Sequence, residues 1–170
     1  VEMNVQLAVV GPEGPIAEGL TDRLRAAGIP VFAPSQAAGQ LEASKEFAKA
    51  FMDRHGIPTG EWTSHTSRNE ALAAIRGPCV VKADGLAAGK GVVVADSAAE
   101  ARTAVESMLD GAFGEAGHRV IVEERLTGPE LSILAVCDGS IAIPMLPCRD
   151  HKRRFTGDLG PNTGGMGALC

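Results

Sequence analysis

The chain has no tyrosine, one tryptophan and five phenylalanines, so aromatic residues fill only 4% of its 170 positions. No basic run is interleaved with aromatics, and the formal net charge is -5, which together argue against a general nucleic-acid binder. Lys152-Arg153-Arg154 is the only cationic cluster. No apolar stretch reaches membrane-spanning length, and the opening Val-Glu-Met-Asn-Val lacks the basic and apolar regions of a signal peptide. Neither nucleic acid nor membrane is expected as a partner. Also missing is any C-x-x-C spacing: Cys79, Cys137, Cys148 and Cys170 stand apart, mostly in apolar strand-like surroundings, as reduced core thiols do. The expected compartment is the cytoplasm. A first residue other than methionine points to a fragment. With 45% hydrophobic residues, the chain has enough apolar surface for a sizeable core.

What the chain does have is Val80 to Ala95, where two β-branched runs flank a glycine-and-lysine loop. Gly85, Gly89 and Gly91 are expected to reach positive φ and turn their N–H groups inward, with Lys82 and Lys90 placing cations beside that concavity. The spacing is a residue short of a Walker A motif and puts Gly91 where Ser or Thr would bind magnesium. Walker A and dinucleotide loops also open a helix, whereas Val92-Val93-Val94 signals a strand. The pattern is strand, loop, strand: a hairpin flap suited to closing over a polyphosphate. An ordinary flexible hairpin is the alternative, although a plain turn needs neither the glycines nor the lysines.

Before the flap, Leu7 to Val10 reads as a buried strand, Ile16 to Ala27 as a helix closed by Gly28, and Ile29 to Ala33 as a second strand. Strand, helix, strand is a parallel unit whose ligands bind at the carboxyl ends of its strands, here at Gly11 to Gly14. That loop fits a phosphate or a ribose, with Glu13 accepting hydroxyls, and equally fits a loop shaped only by its prolines. Pro34 to Leu41 reads as a linker to a helix running from Ser44, its N-cap, to His55, with Gly56 as its left-handed stop. Phe47, Ala48, Phe51 and Met52 make the apolar stripe. Lys45 sits in the first turn, where a cation opposes the helix dipole; it suits an anionic ligand or, taken alone, a solvated surface position. Ser67 with Glu70 and Ser97 with Glu100 form capping boxes that open two more helices.

After the flap, Val120 to Val122 runs into Glu123-Glu124, and carboxylates ending an apolar strand need donors unless they face solvent. Asp138-Gly139 joins two further strands as a hairpin. The tail Gly157 to Gly167 is dense in glycine, either a second backbone cradle or a mobile end. Asp84, Asp138 and Asp158 lie in turns without a partner carboxylate, so no metal ligand is assigned.

Three motifs now carry a resemblance: Val80 to Val92, Asp150-His-Lys-Arg153 and Gly160-Pro-Asn-Thr-Gly-Gly-Met-Gly-Ala168. In this order and spacing they resemble the glycinamide ribonucleotide synthetases, the phosphoribosylamine-glycine ligases of purine biosynthesis, which are ATP-grasp enzymes. The resemblance covers essentially the whole chain. It implies an α/β and α+β fold: residues 1–36 as the end of a Rossmann-like parallel unit, 37–122 as the small ATP-grasp subdomain with its flap, and 123–170 as the hinge and start of the central antiparallel subdomain. It further implies that ATP and glycine form a glycyl phosphate, which 5-phosphoribosylamine attacks to give glycinamide ribonucleotide, ADP and phosphate, with magnesium neutralising the phosphates.

Carried over position by position, the resemblance implies that Lys45 and Lys82 contact the ATP phosphates while Gly85, Gly89, Lys90 and Gly91 close over them. Glu123 would face the adenine amino group, Leu126 would offer its backbone N–H to the ring, and Glu130 would take the ribose hydroxyls. Gly11, Pro12 and Glu13 would meet the phosphoribosylamine, as would Asn162, Thr163, Gly164 and Gly165. Asp150 falls in the substrate-binding motif, and Lys152 or Arg153 would bind a phosphate or the acyl-phosphate oxygens. Arg154-Phe155-Thr156 and Leu159 depart from the family pattern. The family's magnesium-binding Glu-x-Asn strand is expected beyond Cys170, so the chain alone is expected to bind nucleotide without turnover. Another ATP-grasp carboxylate-amine ligase would share the flap but lack the glycine-rich tail.

Overall fold

A computed structural model describes residues 4–87, 90–157 and 159–170, with the side chains of residues 161 and 162 outside the description. Gly89 and the side chain of Asn162 therefore lie outside the described residues. The chain forms two compact units, Val1–Arg125 and Leu126–Cys170.

The first unit opens with β1 (Ala8–Val9), α1 (Glu13–Ala17), α2 (Leu20–Ala26) and β2 (Val31–Phe32), with Ala8 paired to Val31 in parallel. The helix expected over Ile16 to Ala27 is two helices, because Gly19 adopts φ +80° between them. The segment expected to be a linker is instead α3 (Gln36–Ala43), capped by Ser35, whose Oγ accepts from Ala38 N at 3.2 Å. Gly39 lies inside this helix because α1 packs close: a Cβ there would stand 2.6 Å from Ile16 Cγ2. Packing, not a break in the helix, explains that glycine.

Next come α4 (Lys45–His55), β3 (Trp62–His65), α5 (Arg68–Ala74), β4 (Cys79–Ala83), β5 (Val92–Ala95), α6 (Ala98–Ser107) and β6 (Val120–Glu124). Ser44 caps α4 by accepting from Phe47 N at 3.1 Å, and Gly56 ends it at φ +63°. Ser97 caps α6 in the same way, with Glu100 Oε2 accepting from Asp96 N, while Ser67 makes no side-chain cap on α5. The four strands form one antiparallel sheet in the order β3-β6-β4-β5. Strand alternation gives it two unlike faces. Cys79, Val81, Ala83, Val120 and Val122 turn toward Ala71, Ile75, Ala101, Ala104, Val105 and Met108, the apolar core contributed by α5, α6 and the turns that follow them. Val80, Lys82, Ile121 and Glu123 occupy the opposite face, where Glu123 meets Lys49 of α4. The stripe expected on α4 is only partly buried, with Phe47 41% exposed; the buried position on that helix is Lys49.

The second unit holds antiparallel pairs only: β7 (Ala135–Cys137) with β8 (Ala142–Pro144), β9 (Arg149–Asp150) with β12 (Ala168–Leu169), and β10 (Arg153–Phe155) with β11 (Leu159–Asn162). Asp138 closes the first hairpin by accepting at Oδ1 from Ser140 N and Ile141 N, both at 2.8 Å. The residues that depart from the family pattern sit in the β10–β11 hairpin, where Phe155 pairs with Leu159 and the Arg154 guanidinium lies 5.8 Å from the Phe155 ring centroid. Among the described residues of this unit none is fully buried.

Candidate functional site

The flap is the β4–β5 hairpin, registered Lys82 to Val92 and closed at its base by Ala83 N donating to Gly91 O at 2.8 Å. Gly85 and Gly91 serve close approach, and the positive φ expected of them is not what they supply. Neither Gly85 nor Gly91 has positive φ. A Cβ on Gly85 would stand 2.9 Å from Cα and Cβ of Ala116, and one on Gly91 would stand 2.7 Å from Ala87 Cβ. The Gly85 N–H also points away from any cradle, donating to Ala116 O at 3.4 Å. Lys90 is exposed.

Helix α4 presents two lysines one turn apart, Lys45 toward the flap base and Lys49 toward Glu123 of β6. Lys45 Nζ donates to Asp84 O at 3.3 Å and to Gly85 O at 3.1 Å, so the helix start is tied to the flap base. Burial pulls its ammonium below the usual lysine value and Lys82 adds to that, while Asp84 and Glu42 act against it. A partly desolvated cation held on neutral carbonyls is primed for an anion. Asp84 completes the junction: its Oδ1 accepts from Glu46 N at 2.7 Å and from Ser44 Oγ at 3.1 Å. Glu13, Leu41, Glu42, Lys45, Leu86, Ala87, Gly91 and Val92 line a cavity of about 210 Å³ here.

On the same sheet face as Lys82, Glu123 stands between two cations. Lys49, 6% exposed, contacts Glu123 Oε1 and donates to Thr59 Oγ1 at 2.5 Å. Lys82 Nζ lies 2.5 Å from Oε2, which is itself buried. Burial alone pushes the Glu123 carboxyl up, but the bonds and charges of Lys49 and Lys82 outweigh it and hold the group below the usual glutamate range. Sequence reasoning missed Lys49, Asp84 and Glu42. The i, i+4 spacing of Lys45 and Lys49 was the available signal for the first.

Of the other expected residues in this unit, Gly11 and Pro12 are exposed, with Pro12 capping α1 and Glu13 opening it. In the second unit, Leu126 is 67% exposed, and Glu130 pairs with Lys152 at 3.1 Å. Two motifs distant in sequence meet there: Lys152 O accepts from Thr163 N at 2.7 Å and from its Oγ1 at 3.0 Å, while Arg153 donates to Gly160 O at 2.8 Å. Gly165, at φ +127°, passes so close to Asp150 that a Cβ would lie 3.4 Å from Oδ1. Gly164 is exposed. Among the described residues no three His, Cys, Asp or Glu side chains gather to hold a metal ion.

The chain matches the phosphoribosylglycinamide synthetase N domain over residues 1–42 and the ATP-grasp (A) domain of the same synthetase over residues 43–170. It belongs to the phosphoribosylglycinamide synthetase family. A phosphoribosylamine-glycine ligase of Yersinia pestis is 54% identical over 97% of this chain and 40% of its own length. The human trifunctional purine biosynthetic protein adenosine-3 is 53% identical over 99% of this chain and 17% of its own length. The crystal structure of the Thermotoga maritima phosphoribosylamine-glycine ligase superposes with a TM-score of 0.70 at 39% identity, covering 81% of this chain and 36% of that one. D-alanyl-alanine synthetase A from Vibrio cholerae, at 20% identity and a TM-score of 0.67, shares the fold alone. The fold is ATP-grasp, and the chain spans about two fifths of the bacterial relative's length.

Proposed function

We propose that this chain is the nucleotide-binding part of a phosphoribosylamine-glycine ligase. In that reaction the glycine carboxylate takes the γ-phosphoryl group of ATP, the amine of 5-phosphoribosylamine attacks the acyl carbon, and phosphate leaves with formation of the amide. The observation that carries the reading is the meeting of Lys45 and the flap residues Leu86, Ala87, Gly91 and Val92 around one cavity, with Lys82, in register with Val92, paired to Glu123. Lys45 and Lys82 serve the phosphates as charge-assisted donors. Gly85, Gly89, Lys90 and Gly91 close over them, with Lys90 adding positive charge. Glu123 accepts from the adenine amino group, and Glu13, with Gly11 and Pro12, takes the phosphoribosylamine.

In the second unit, we assign Glu130 to ribose hydroxyls, the Leu126 N–H to adenine, and Asp150, Asn162, Thr163, Gly164 and Gly165 to the phosphoribosylamine. Lys152 and Arg153 stabilise the acyl-phosphate oxygens. No general base is assigned, since an amine attacking an acyl phosphate needs chiefly orientation and electrostatics. Magnesium would neutralise charge on the phosphates, but the described residues offer no ligand set for it and no step is derived through it. Among the described residues no helix is long and apolar enough to cross a membrane; the free thiols of the four cysteines support the cytoplasm as compartment. Lys82→Ala should weaken ATP binding by about 1.5 to 3 kcal/mol, the value of a hydrogen bond to a charged group. Calorimetry showing unchanged affinity would overturn the assignment.

A further inference from the structure

The Glu123 carboxylate has two ammonium groups and they are not equivalent. Lys49 is buried, anchored by Thr59 as well as Glu123, and does not line the 210 Å³ cavity. The Lys82 side chain is 25% exposed, is paired with Oε2, and sits in register with Val92, which does line that cavity. Gly60 leaves the other approach to the carboxylate free of side chain, since a Cβ there would come within 3.5 Å of Oε1. Two cations on one carboxylate leave a surplus positive charge, and the less firmly held partner carries it.

We infer that Lys49 is a positioning residue: by serving as the permanent counterion of Glu123 it leaves Lys82 free to exchange that carboxylate for an anionic ligand. Without Lys49, Lys82 becomes the sole counterion of a buried carboxylate and stays on it, because leaving would strand an unpaired charge. The effect on a ligand is therefore indirect. The inference rests on the proposed nucleotide reading for its ligand but not for its ionic logic.

The test is a cycle of Lys49→Met, Glu123→Gln and the double variant, with Lys49→Arg as the conservative replacement. ATP affinity by calorimetry should fall about tenfold in Lys49→Met, the equivalent of one charge-assisted hydrogen bond, and recover in Lys49→Arg. In the Glu123→Gln background Lys49→Met should have no further effect, since Lys82 is no longer trapped. An equal fall in both backgrounds would mean that Lys49 merely packs, and would overturn the inference. A second readout needs no nucleotide: the acylation rate of Lys82, followed by mass spectrometry, should drop in Lys49→Met and return in the double variant. An unchanged rate refutes the inference. If wild-type protein binds no ATP, the nucleotide reading alone falls, and the labelling pattern still decides the role of Lys49.

Discussion

Asp84 holds the start of α4 against the base of the flap, and removing its carboxylate is the sharpest test of how the site is assembled. In Asp84→Ala the backbone links survive, since Lys45 N and Nζ bond to the Asp84 carbonyl and Asp84 N donates to Arg119 O at 3.0 Å. What disappears is the acceptor for Glu46 N at 2.7 Å and the partner of Ser44 Oγ at 3.1 Å. Glu46 N lies in the first helical turn, where no intrahelical acceptor exists. A hydrogen bond to a charged group contributes about 1.5 to 3 kcal/mol. The negative charge at the helix start adds roughly 0.3 to 1 kcal/mol. Two effects reduce the sum: Ser44 still accepts from Phe47 N, and Glu46 is only half-buried, so water can replace part of the loss. The expected cost is about 2 kcal/mol, with Asp84→Asn, which keeps an acceptor but not the charge, costing about half of that.

The single tryptophan makes this measurable, because Trp62 Nε1 donates to Asp53 Oδ2 of α4 at 2.9 Å and so reports on that helix. Urea unfolding followed by tryptophan fluorescence should show a lower midpoint at an unchanged slope. A loss below about 0.5 kcal/mol, the range of an ordinary surface change, would refute the account of Asp84 as a structural junction.

Other consequences are simpler to state. Gly91→Ala should destabilise the first unit by about 1 to 3 kcal/mol in thermal or urea unfolding, because the new methyl meets Ala87 Cβ at 2.7 Å and Ala83 Cβ at 3.2 Å; full tolerance would mean that the flap is too loose to need a glycine there. For Glu123, a folded-state pKa below the unfolded glutamate value of about 4.3 means a contribution fully present above that pH and lost as pH falls through the folded value. The stability difference between wild type and Glu123→Gln should thus be flat from neutrality down to about pH 5 and shrink below pH 4, and a difference that grows on acidification would contradict the ion pairing.

The hairpin and the capped helix at Ser44 were legible because each has a local cause: β-branched runs on both sides of a loop, a serine before an amphipathic run, a glycine at the left-handed stop. The helix at Gln36 was not, since Gly39 reads as a breaker and only its packing against Ile16 shows otherwise. The same error runs through the flap. Glycine in a phosphate-like loop suggests unusual φ, yet Gly85 and Gly91 are demanded by neighbours distant in sequence or across the turn, which no local pattern encodes. Lys49 was hidden for a third reason: within a helix a lysine reads as solvent-facing, and its burial depends on a carboxylate 74 residues away.

These hidden contacts alter what ligand binding means at this site. Lys45 already has two carbonyl partners and Lys82 already has a carboxylate, so a phosphate would exchange with existing partners and not fill empty positions. The gain is then a difference between two interactions, as it is for any hydrogen bond that replaces another. For Lys45 the exchange favours the anion, because neutral carbonyls satisfy a desolvated ammonium less well than a charged oxygen does. For Lys82 it would be close to neutral but for Lys49, which keeps Glu123 compensated when Lys82 departs. The loss on Lys82→Ala should consequently fall in the lower half of the roughly 1.5 to 3 kcal/mol expected of an isolated charged contact, and Lys45→Ala should cost more.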